Sequence, residues 1–170
     1  MKITIFGTGS PTKEQYDEAY ALGKKIAESG HVLTNGGYAG VMEASAKGAT
    51  KNGGKAIGVC IKGHSIAYAK KPNDFLSEVI IKDNMGERLK ELLKSDKIIV
   101  LPGKVGTLED FFTAWVEAFV DKTNKIYLVG EKNKKLINFL IDNNFVNKDE
   151  HLPFIKIVNS IDELPFLNKE

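Results

Sequence analysis

Short apolar runs alternate with amphipathic stretches along the whole chain. The runs predict buried strands at residues 3–6, 31–34, 55–61, 78–82, 98–101, 125–129 and 154–158. Between them, apolar residues at helical spacing or clusters of small residues predict helices at residues 13–29, 41–51, 85–95, 106–119, 133–144 and 160–167. Strands that alternate with helices are typical of a parallel sheet covered on both faces. We therefore expect an α/β fold, a doubly wound, mostly parallel, Rossmann-like sheet, with residues 1–170 forming a single domain.

Capping signals mark the ends of two of these helices. Thr12, with Gln15 three residues later, predicts a capping box at the start of the first helix, and Gly30 is expected to close that helix. Ser160 is expected to cap the terminal helix at residues 160–167.

Three glycine-bearing turns follow the first, second and fifth predicted strands. They are the segments 7–10 (GTGS), 35–40 (NGGYAG) and 102–107 (PGKVGT). Because the carboxyl ends of parallel strands share one edge of the sheet, the turns should gather where such folds bind ligands. The third turn leads into a helix, whose free N–H groups and positive dipole end favour an anion, most often a phosphate.

Two acidic residues, Glu109 and Asp110, follow this anion site and should repel a phosphate. One explanation is helix capping, since Thr107 and Asp110 approximate a capping box and acids in a first turn are stabilised by about 0.3–1 kcal/mol each. The other explanation is that the carboxylates act on a ligand. Capping does not explain why the glycine turns and Arg88 accompany these acids, so we favour the functional explanation.

Arg88 is the only arginine in a chain whose 24 basic residues are otherwise all lysine. A planar guanidinium forms paired hydrogen bonds that a lysine ammonium cannot form. We therefore expect Arg88 to bind an anionic oxygen in the site, in preference to the alternative of a surface residue without a specific role.

Composition and charge narrow the classes of partner. A net charge of +2 gives no electrostatic footprint for nucleic acid or an anionic membrane, and the apolar runs are too short to span a bilayer. The N-terminus enters a strand without a signal-peptide cleavage region, which predicts a cytoplasmic protein. Cys60 is the only cysteine and the three histidines are scattered, so we expect a buried thiol and no metal site.

Two further segments bear on the ligand. The turn at residues 7–10 is similar to the start of a dinucleotide fingerprint, but Thr12 stands where the third glycine would be. A dinucleotide-dependent oxidoreductase is therefore disfavoured. Residues 62–77 show no clear periodicity, which is typical of a lid or a binding loop.

Three segments together resemble a known family. They are NGGYAGVMEASAKGA at 35–49, MGER at 85–88 and PGKVGTLED at 102–110. In order and spacing they are similar to the GGGxxGLMG-like turn, the MxxRK segment and the PGGxGTxxE motif of the lonely-guy family of nucleotide phosphoribohydrolases. The resemblance covers residues 2–129 of the chain.

The chain departs from those motifs at four positions. Lys104 stands at the second glycine of the third motif, and Leu89 stands at the lysine that follows the arginine. Asp110 replaces the closing glutamate, although Glu109 is retained just before it. Glu43, where the hydrolases carry glycine, is similar to a sister branch that contains molybdenum-cofactor carrier proteins.

The resemblance implies hydrolysis of the N-glycosidic bond of a nucleoside 5′-monophosphate, either AMP-like or a cytokinin riboside 5′-monophosphate, to free base and ribose 5-phosphate. Its catalytic residues would be Arg88, Glu109 and Asp110. Phosphate and nucleotide binding would fall to Gly7, Gly9, Ser10, Gly36, Gly37, Gly40, Met85, Pro102, Gly103, Lys104, Val105, Gly106 and Thr107. No cofactor and no metal is expected, and base contacts are expected in the loop at 62–77. The alternative is a non-catalytic carrier or sensor of a nucleotide or a molybdenum-cofactor-like ligand.

The hydrolysis implied by the resemblance would explain the acids Glu109 and Asp110 after the third turn. Glycosidic cleavage builds oxocarbenium character on the sugar, which a carboxylate stabilises. A carboxylate one helical turn beyond the phosphate would face the sugar, so the acids need not oppose the phosphate.

The helix after the third turn carries an unusually wide apolar stripe. Its members are Phe111, Phe112, Trp115, Val116, Phe119 and Val120. About half of the aromatic residues are expected to pack in the core, and the rest to form the seam of a symmetric dimer. Members of the resembled family commonly dimerise through this region, so we expect a homodimer.

Overall fold

The computed structural model describes residues 1–63 and 71–167 of the chain. The strands are β1 (Lys2–Phe6), β2 (Val32–Asn35), β3 (Lys55–Ile61), β4 (Glu78–Lys82), β5 (Lys97–Val100), β6 (Ile126–Val129) and β7 (Ile155–Val158). The helices are α1 (Lys13–Glu28), α2 (Val41–Lys51), α3 (Met85–Leu92), α4 (Val105–Val120), α5 (Glu131–Asp142) and α6 (Lys148–His151). Short 3₁₀ helices occupy Leu152–Phe154, Ile161–Glu163 and Pro165–Leu167. Within the described ranges, none of the helices is long and apolar enough to cross a lipid bilayer.

The strands form one parallel sheet in the order β4-β3-β2-β1-β5-β6-β7. The chain moves outward from β1 to β4 and then returns to pair β5 with the other edge of β1, with Phe6 opposite Val100. This reversal confirms the doubly wound Rossmann-like prediction. It also places the turns that follow β1 and β5 side by side at the switch point, where such folds bind ligands.

Two hydrophobic cores cover the two faces of the sheet. The helices α1 and α2 and the C-terminal 3₁₀ segments cover one face, while α3, α4 and α5 cover the other. In β5, Ile98 and Val100 belong to the second core and Ile99 to the first. This alternation explains why the strand reads as a continuous apolar run, since both of its faces are buried.

The start and end of α1 confirm the predicted capping signals. The hydroxyl of Thr12 accepts a hydrogen bond from the Gln15 amide at 3.3 Å, and the Gln15 side chain accepts one from the Thr12 amide at 3.0 Å. Gly30 follows the helix with a φ of +72°, the left-handed conformation that glycine adopts most readily.

The C-terminal helix prediction is wrong. Residues 160–167 form two 3₁₀ turns in place of one α-helix, and the Ser160 side chain makes no capping hydrogen bond. Pro165 explains the interruption, because it has no amide hydrogen to donate and its ring clashes with the preceding helical turn. The helix predicted at 85–95 also ends earlier, at Leu92.

The helices α1 and α2 approach each other at two glycines. A Cβ on Gly23 would collide with the backbone carbonyl of Ser45, and one on Gly48 would collide with that of Tyr20. We expect Gly23→Ala to lower the free energy of unfolding by about 1–3 kcal/mol, since backbone cannot yield as a side chain can. Gly106→Ala in α4 is the matched control, because no heavy atom lies within 4 Å of its added Cβ. Urea denaturation should show Gly106→Ala at or above wild-type stability, and equal losses in both variants would contradict the close-approach explanation.

Candidate functional site

A cavity of about 410 Å³ opens at the switch point of the sheet. It is lined by Gly7, Thr8, Gly9, Met42, Met85, Arg88, Lys104, Val105, Gly106, Thr107, Glu109 and Asp110. These residues come from the β1–α1 turn, the start of α2, the helix α3 and the start of α4. The volume lies within the range of roughly 300–1,000 Å³ that small-molecule sites occupy.

The first turn of α4 forms one wall of this cavity. The helix begins at Val105, with Lys104 at the N-cap in an extended conformation and without a side-chain capping bond. The amides of Val105, Gly106 and Thr107 precede the first possible intrahelical bond, and these three residues line the cavity. The wall therefore presents free N–H groups and the positive end of the helix dipole.

The structure rules out the capping box at Thr107 and Asp110, which was the disfavoured explanation of the two acids. Thr107 is the third residue of α4 and is buried, with its side chain packed against Gly103. The first turn of α4 contains no acidic residue, so Glu109 and Asp110 belong to the second turn. Neither capping nor a first-turn dipole interaction accounts for these two carboxyl groups, and both line the cavity.

Arg88 reaches the cavity from α3 and is only 5% exposed. Its Nε donates to the Val59 carbonyl at 2.8 Å, and its Nη2 donates to the Gly36 carbonyl at 3.3 Å. The guanidinium carbon lies 5.9 Å from the centroid of the Tyr38 ring. No salt bridge to Arg88 occurs among the residues that the structure describes. A buried cation is thus oriented by neutral carbonyls, and its remaining N–H groups can bind a ligand oxygen.

The second glycine turn contacts the Arg88 side chain but does not line the cavity. A Cβ at Gly36 would collide with the guanidinium, so only glycine allows the close approach. Gly37 and Gly40 adopt φ values of +77° and +71°, in the left-handed region. Of the residues predicted to bind the phosphate or nucleotide, those that lie outside the cavity lining are Ser10, Gly36, Gly37, Gly40, Pro102 and Gly103.

Asp110 has an unusual protonation equilibrium. Burial raises its pKa from the ordinary 3.8 to about 7, the Arg88 charge opposes that rise, and the neighbouring Glu109 adds to it. A carboxyl group with such a pKa exchanges protons near neutral pH, which is the range that suits a general acid or base.

Lys104 joins the first and third glycine turns at the rim of the cavity. Its Nζ donates to Ser10 Oγ at 2.9 Å, and both residues are exposed. The Ser10 amide in turn donates to Thr8 Oγ1 at 3.2 Å. Although Ser10 does not line the cavity, it therefore contacts a side chain that does.

Two lining residues were missed in the sequence analysis. Thr8 is buried between the two glycines of the first turn, and Met42 lies at the start of α2. The sequence offered a signal for both, since Thr8 lies inside the GTGS turn and Met42 inside the NGGYAGVMEASAKGA segment. Spacing alone does not distinguish their side chains from those of neighbouring residues that point away.

The loop predicted at 62–77 is described only in part, since residues 64–70 lie outside the described ranges. Its later part contacts the second glycine turn, because Asn73 Nδ2 donates to the carbonyls of Gly37 at 3.2 Å and Tyr38 at 2.9 Å. The predicted base contacts of this loop stay a prediction.

Cys60 is 1% exposed, which confirms the predicted buried thiol. Burial raises the pKa of this thiol, and the nearby Arg88 charge lowers it. Across residues 1–63 and 71–167, no group of three or more His, Cys, Asp or Glu side chains is arranged to hold a metal ion.

The apolar stripe of α4 divides into a core side and an exposed side. Phe111 and Trp115 are buried and stack with centroids 5.2 Å apart, as the core interpretation requires. Phe112, Val116 and Val120 are 36%, 62% and 66% exposed. They border a groove of about 590 Å³ lined by Phe112, Trp115, Val116, Phe119, Val120, Leu140, Phe145, Val146 and His151.

Comparison with known proteins identifies relatives of this chain. The model of the SLOG cluster4 family matches residues 1–152. An uncharacterized protein of Archaeoglobus fulgidus is 38% identical over 119 residues, which are 69% of this chain and 75% of that protein. A Mycobacterium tuberculosis protein named cytokinin riboside 5′-monophosphate phosphoribohydrolase is 35% identical over 127 residues, 72% of this chain and 66% of that protein.

Among solved structures, the molybdenum cofactor carrier protein of Chlamydomonas reinhardtii is similar in fold. It superposes with a TM-score of 0.72 and 23% identity, over 95% of this chain and 91% of that chain. At this identity the likeness shows the fold alone. The family model and the named mycobacterial relative confirm the resemblance to the nucleotide phosphoribohydrolases that the three sequence segments predicted.

Proposed function

The chain belongs to the SLOG cluster4 family, and we propose that it hydrolyses the N-glycosidic bond of a nucleoside 5′-monophosphate to free base and ribose 5-phosphate. The observation that carries this proposal is the convergence of Arg88, Glu109 and Asp110 on one cavity with the first turn of α4. The name of the mycobacterial relative supports the same reaction class, with AMP or a cytokinin riboside 5′-monophosphate as the substrate.

The phosphate binds at the start of α4. The amides of Val105, Gly106 and Thr107 donate to its oxygens, and the helix dipole stabilises the negative charge. These residues line the same cavity as the two acids.

The sugar faces the second turn of α4. Asp110 lies three positions after Thr107, which is a rise of about 4.5 Å along a helix. The carboxyl groups thus lie about one turn from the phosphate, near the position of the ribose ring. Arg88 approaches from α3 and binds an oxygen on which negative charge resides or develops.

Two carboxyl groups with different tasks complete the reaction. As the bond between C1′ and the base breaks, its electron pair goes to the base nitrogen, which takes a proton from the protonated Asp110. Water adds to C1′, and Glu109 accepts the proton that the water loses. The pKa of about 7 makes Asp110 an effective proton donor at neutral pH.

Base release from a panel of nucleoside 5′-monophosphates tests this function. Chromatography should detect free base and ribose 5-phosphate in equal amounts, and the matching nucleosides without phosphate serve as the control. Tight binding of a monophosphate without release of its base would exclude the hydrolase. It would leave the carrier, which the departures at Lys104 and Asp110 favour.

We further propose that two copies of the chain associate through the exposed side of α4. Light scattering should give the mass of a dimer, and Val116→Glu should give a monomer, because the charge enters an apolar groove. Phe139→Glu is the matched control, since Phe139 is 57% exposed on α5 and does not line that groove. A wild-type monomer would contradict the proposal.

A further inference from the structure

Lys104 is the most distinctive residue of the cavity, since it stands where the resembled motif has glycine. Two roles are open to it: its side chain either obstructs the cavity or recognises a ligand. The cavity keeps about 410 Å³ with the lysine side chain in place, and the side chain contributes to its lining. In this conformation the lysine side chain therefore does not obstruct the cavity.

The position of the ammonium indicates recognition. Nζ lies at the rim, 2.9 Å from Ser10 Oγ, and so bridges two turns that are 94 residues apart in the sequence. Within the described part of the chain, Lys104 forms no salt bridge, so its charge is not neutralised by a neighbouring carboxylate. The Ser10 hydroxyl is a neutral acceptor and takes one of the three N–H donors of the ammonium, so the others can bind a phosphate oxygen with a gain in charge attraction.

Arg88 supplies an independent indication of an anionic ligand. It also lacks a carboxylate within salt-bridge distance in the described ranges, and it is nine-tenths buried beside the same cavity. The two cations differ in depth, since Arg88 is buried and Lys104 is exposed. A ligand that contacts both cations carries negative or developing negative charge at two depths of the cavity.

We propose that Lys104, positioned by Ser10, determines specificity for the phosphorylated nucleotide over the unphosphorylated nucleoside. The inference rests on the proposed function, since it assumes that a nucleoside 5′-monophosphate is the ligand. The phosphate dianion lies between the first turn of α4 and the ammonium, whose three donors allow it to keep Ser10 Oγ while it donates to a phosphate oxygen. An uncharged nucleoside gains nothing from that contact.

Calorimetry with AMP and adenosine on three variants tests the proposal. Lys104→Met removes the charge and leaves a flexible side chain that is shorter by one atom, whereas Lys104→Gly restores the motif residue. Both should weaken AMP binding at least about 10-fold and leave adenosine binding unchanged, as expected for loss of a charge-assisted hydrogen bond. Lys135→Met, at an exposed lysine of α5 outside the cavity, is the control and should bind AMP as the wild type does.

Ser10→Ala tests the positioning role. Alone it should weaken AMP binding less than Lys104→Met does, and in the Lys104→Met background it should have no further effect. An additive loss in the double variant would contradict positioning through Lys104.

The outcomes separate this inference from the proposed function. If the wild type releases base from AMP and Lys104→Met binds AMP as tightly as the wild type or more tightly, the inference is overturned and the hydrolase is kept. If Lys104→Met loses AMP binding and the wild type releases no base, the inference is kept and the hydrolase is excluded. Tighter AMP binding in Lys104→Gly alone would show that the lysine obstructs the cavity, and would overturn the inference.

Discussion

Replacing Arg88 should abolish base release. Arg88→Ala removes the buried cation from the cavity, and we expect kcat/KM to fall at least about 100-fold, as when one preorganised group that stabilises developing charge is lost. The substitution also leaves the carbonyls of Val59 and Gly36 without their donor, at a cost of about 1–3 kcal/mol for each buried acceptor. Activity assays must therefore accompany a measurement of folding.

Arg88→Lys keeps the positive charge, and it separates the effect on catalysis from the effect on folding. A lysine ammonium cannot contact both carbonyls in the plane of the guanidinium and still present donors to the cavity. We expect this variant to fold and to lose most of the activity. Lys90→Ala, at an exposed position of α3 outside this cavity, is the matched control and should keep wild-type rates. A folded Arg88→Lys or Arg88→Ala protein with full activity would exclude Arg88 from the chemistry.

The fold was predictable because its signals are local and repeated. The apolar run at 98–101 and the capping box at Thr12 depend on residues close together in sequence. The doubly wound topology follows from the alternation of strands and helices. The terminal segment failed because apolar spacing suggested a helix, while Pro165 prevents that helix from continuing.

The site was predictable as a set of segments but not as a set of contacts. Arg88 stood out as the only arginine, yet its partners Val59 and Gly36 are 29 and 52 residues distant and leave no local pattern. The same holds for the bridge from Lys104 to Ser10. Glycine spacing also could not separate Gly9, which lines the cavity, from Gly36, which allows the guanidinium to approach.

The start of α4 near Thr107 illustrates a different limit of sequence-based prediction. The helix α4 begins at Val105, two residues before the Thr107 cap of the disfavoured capping explanation, and this small shift moves Glu109 and Asp110 from the first turn to the second. Helix boundaries are set by small free-energy differences, so they are the least predictable feature of a sequence. Here the boundary decides whether the acids cap a helix or face a cavity.

Asp110→Asn should make the protein more stable at high pH and inactive as a hydrolase. Burial raises the pKa of Asp110 to about 7 in the folded state, against 3.8 for an ordinary aspartate. Below pH 4 both states carry the proton and the group contributes nothing. Between these values folding takes up a proton, so stability falls as pH rises, and above pH 7 the full penalty remains. Asparagine has no charge to bury and escapes this penalty.

Guanidinium denaturation of Asp110→Asn at several pH values measures the effect. The stability difference between variant and wild type should be small at pH 4, grow to a few kcal/mol by pH 7 and stay level above it. Asp142→Asn, the same change at an exposed aspartate of α5 outside the cavity, is the control. A stability difference that does not change with pH would show that Asp110 is not buried as a carboxylate in the folded protein.

The activity of Asp110→Asn and Glu109→Gln tests the proton donor. The wild-type rate of base release should fall as pH rises above about 7, because only protonated Asp110 can donate, and Asp110→Asn should lose about 10²–10⁴-fold. Arg88 lowers this pKa and Glu109 raises it, so Glu109→Gln, which also loses the base that accepts the water proton, should be slower and should have the descending limb of its residual rate at lower pH. A wild-type rate that instead rises through pH 7 would reverse the assignment, with ionised Asp110 as the base that activates water.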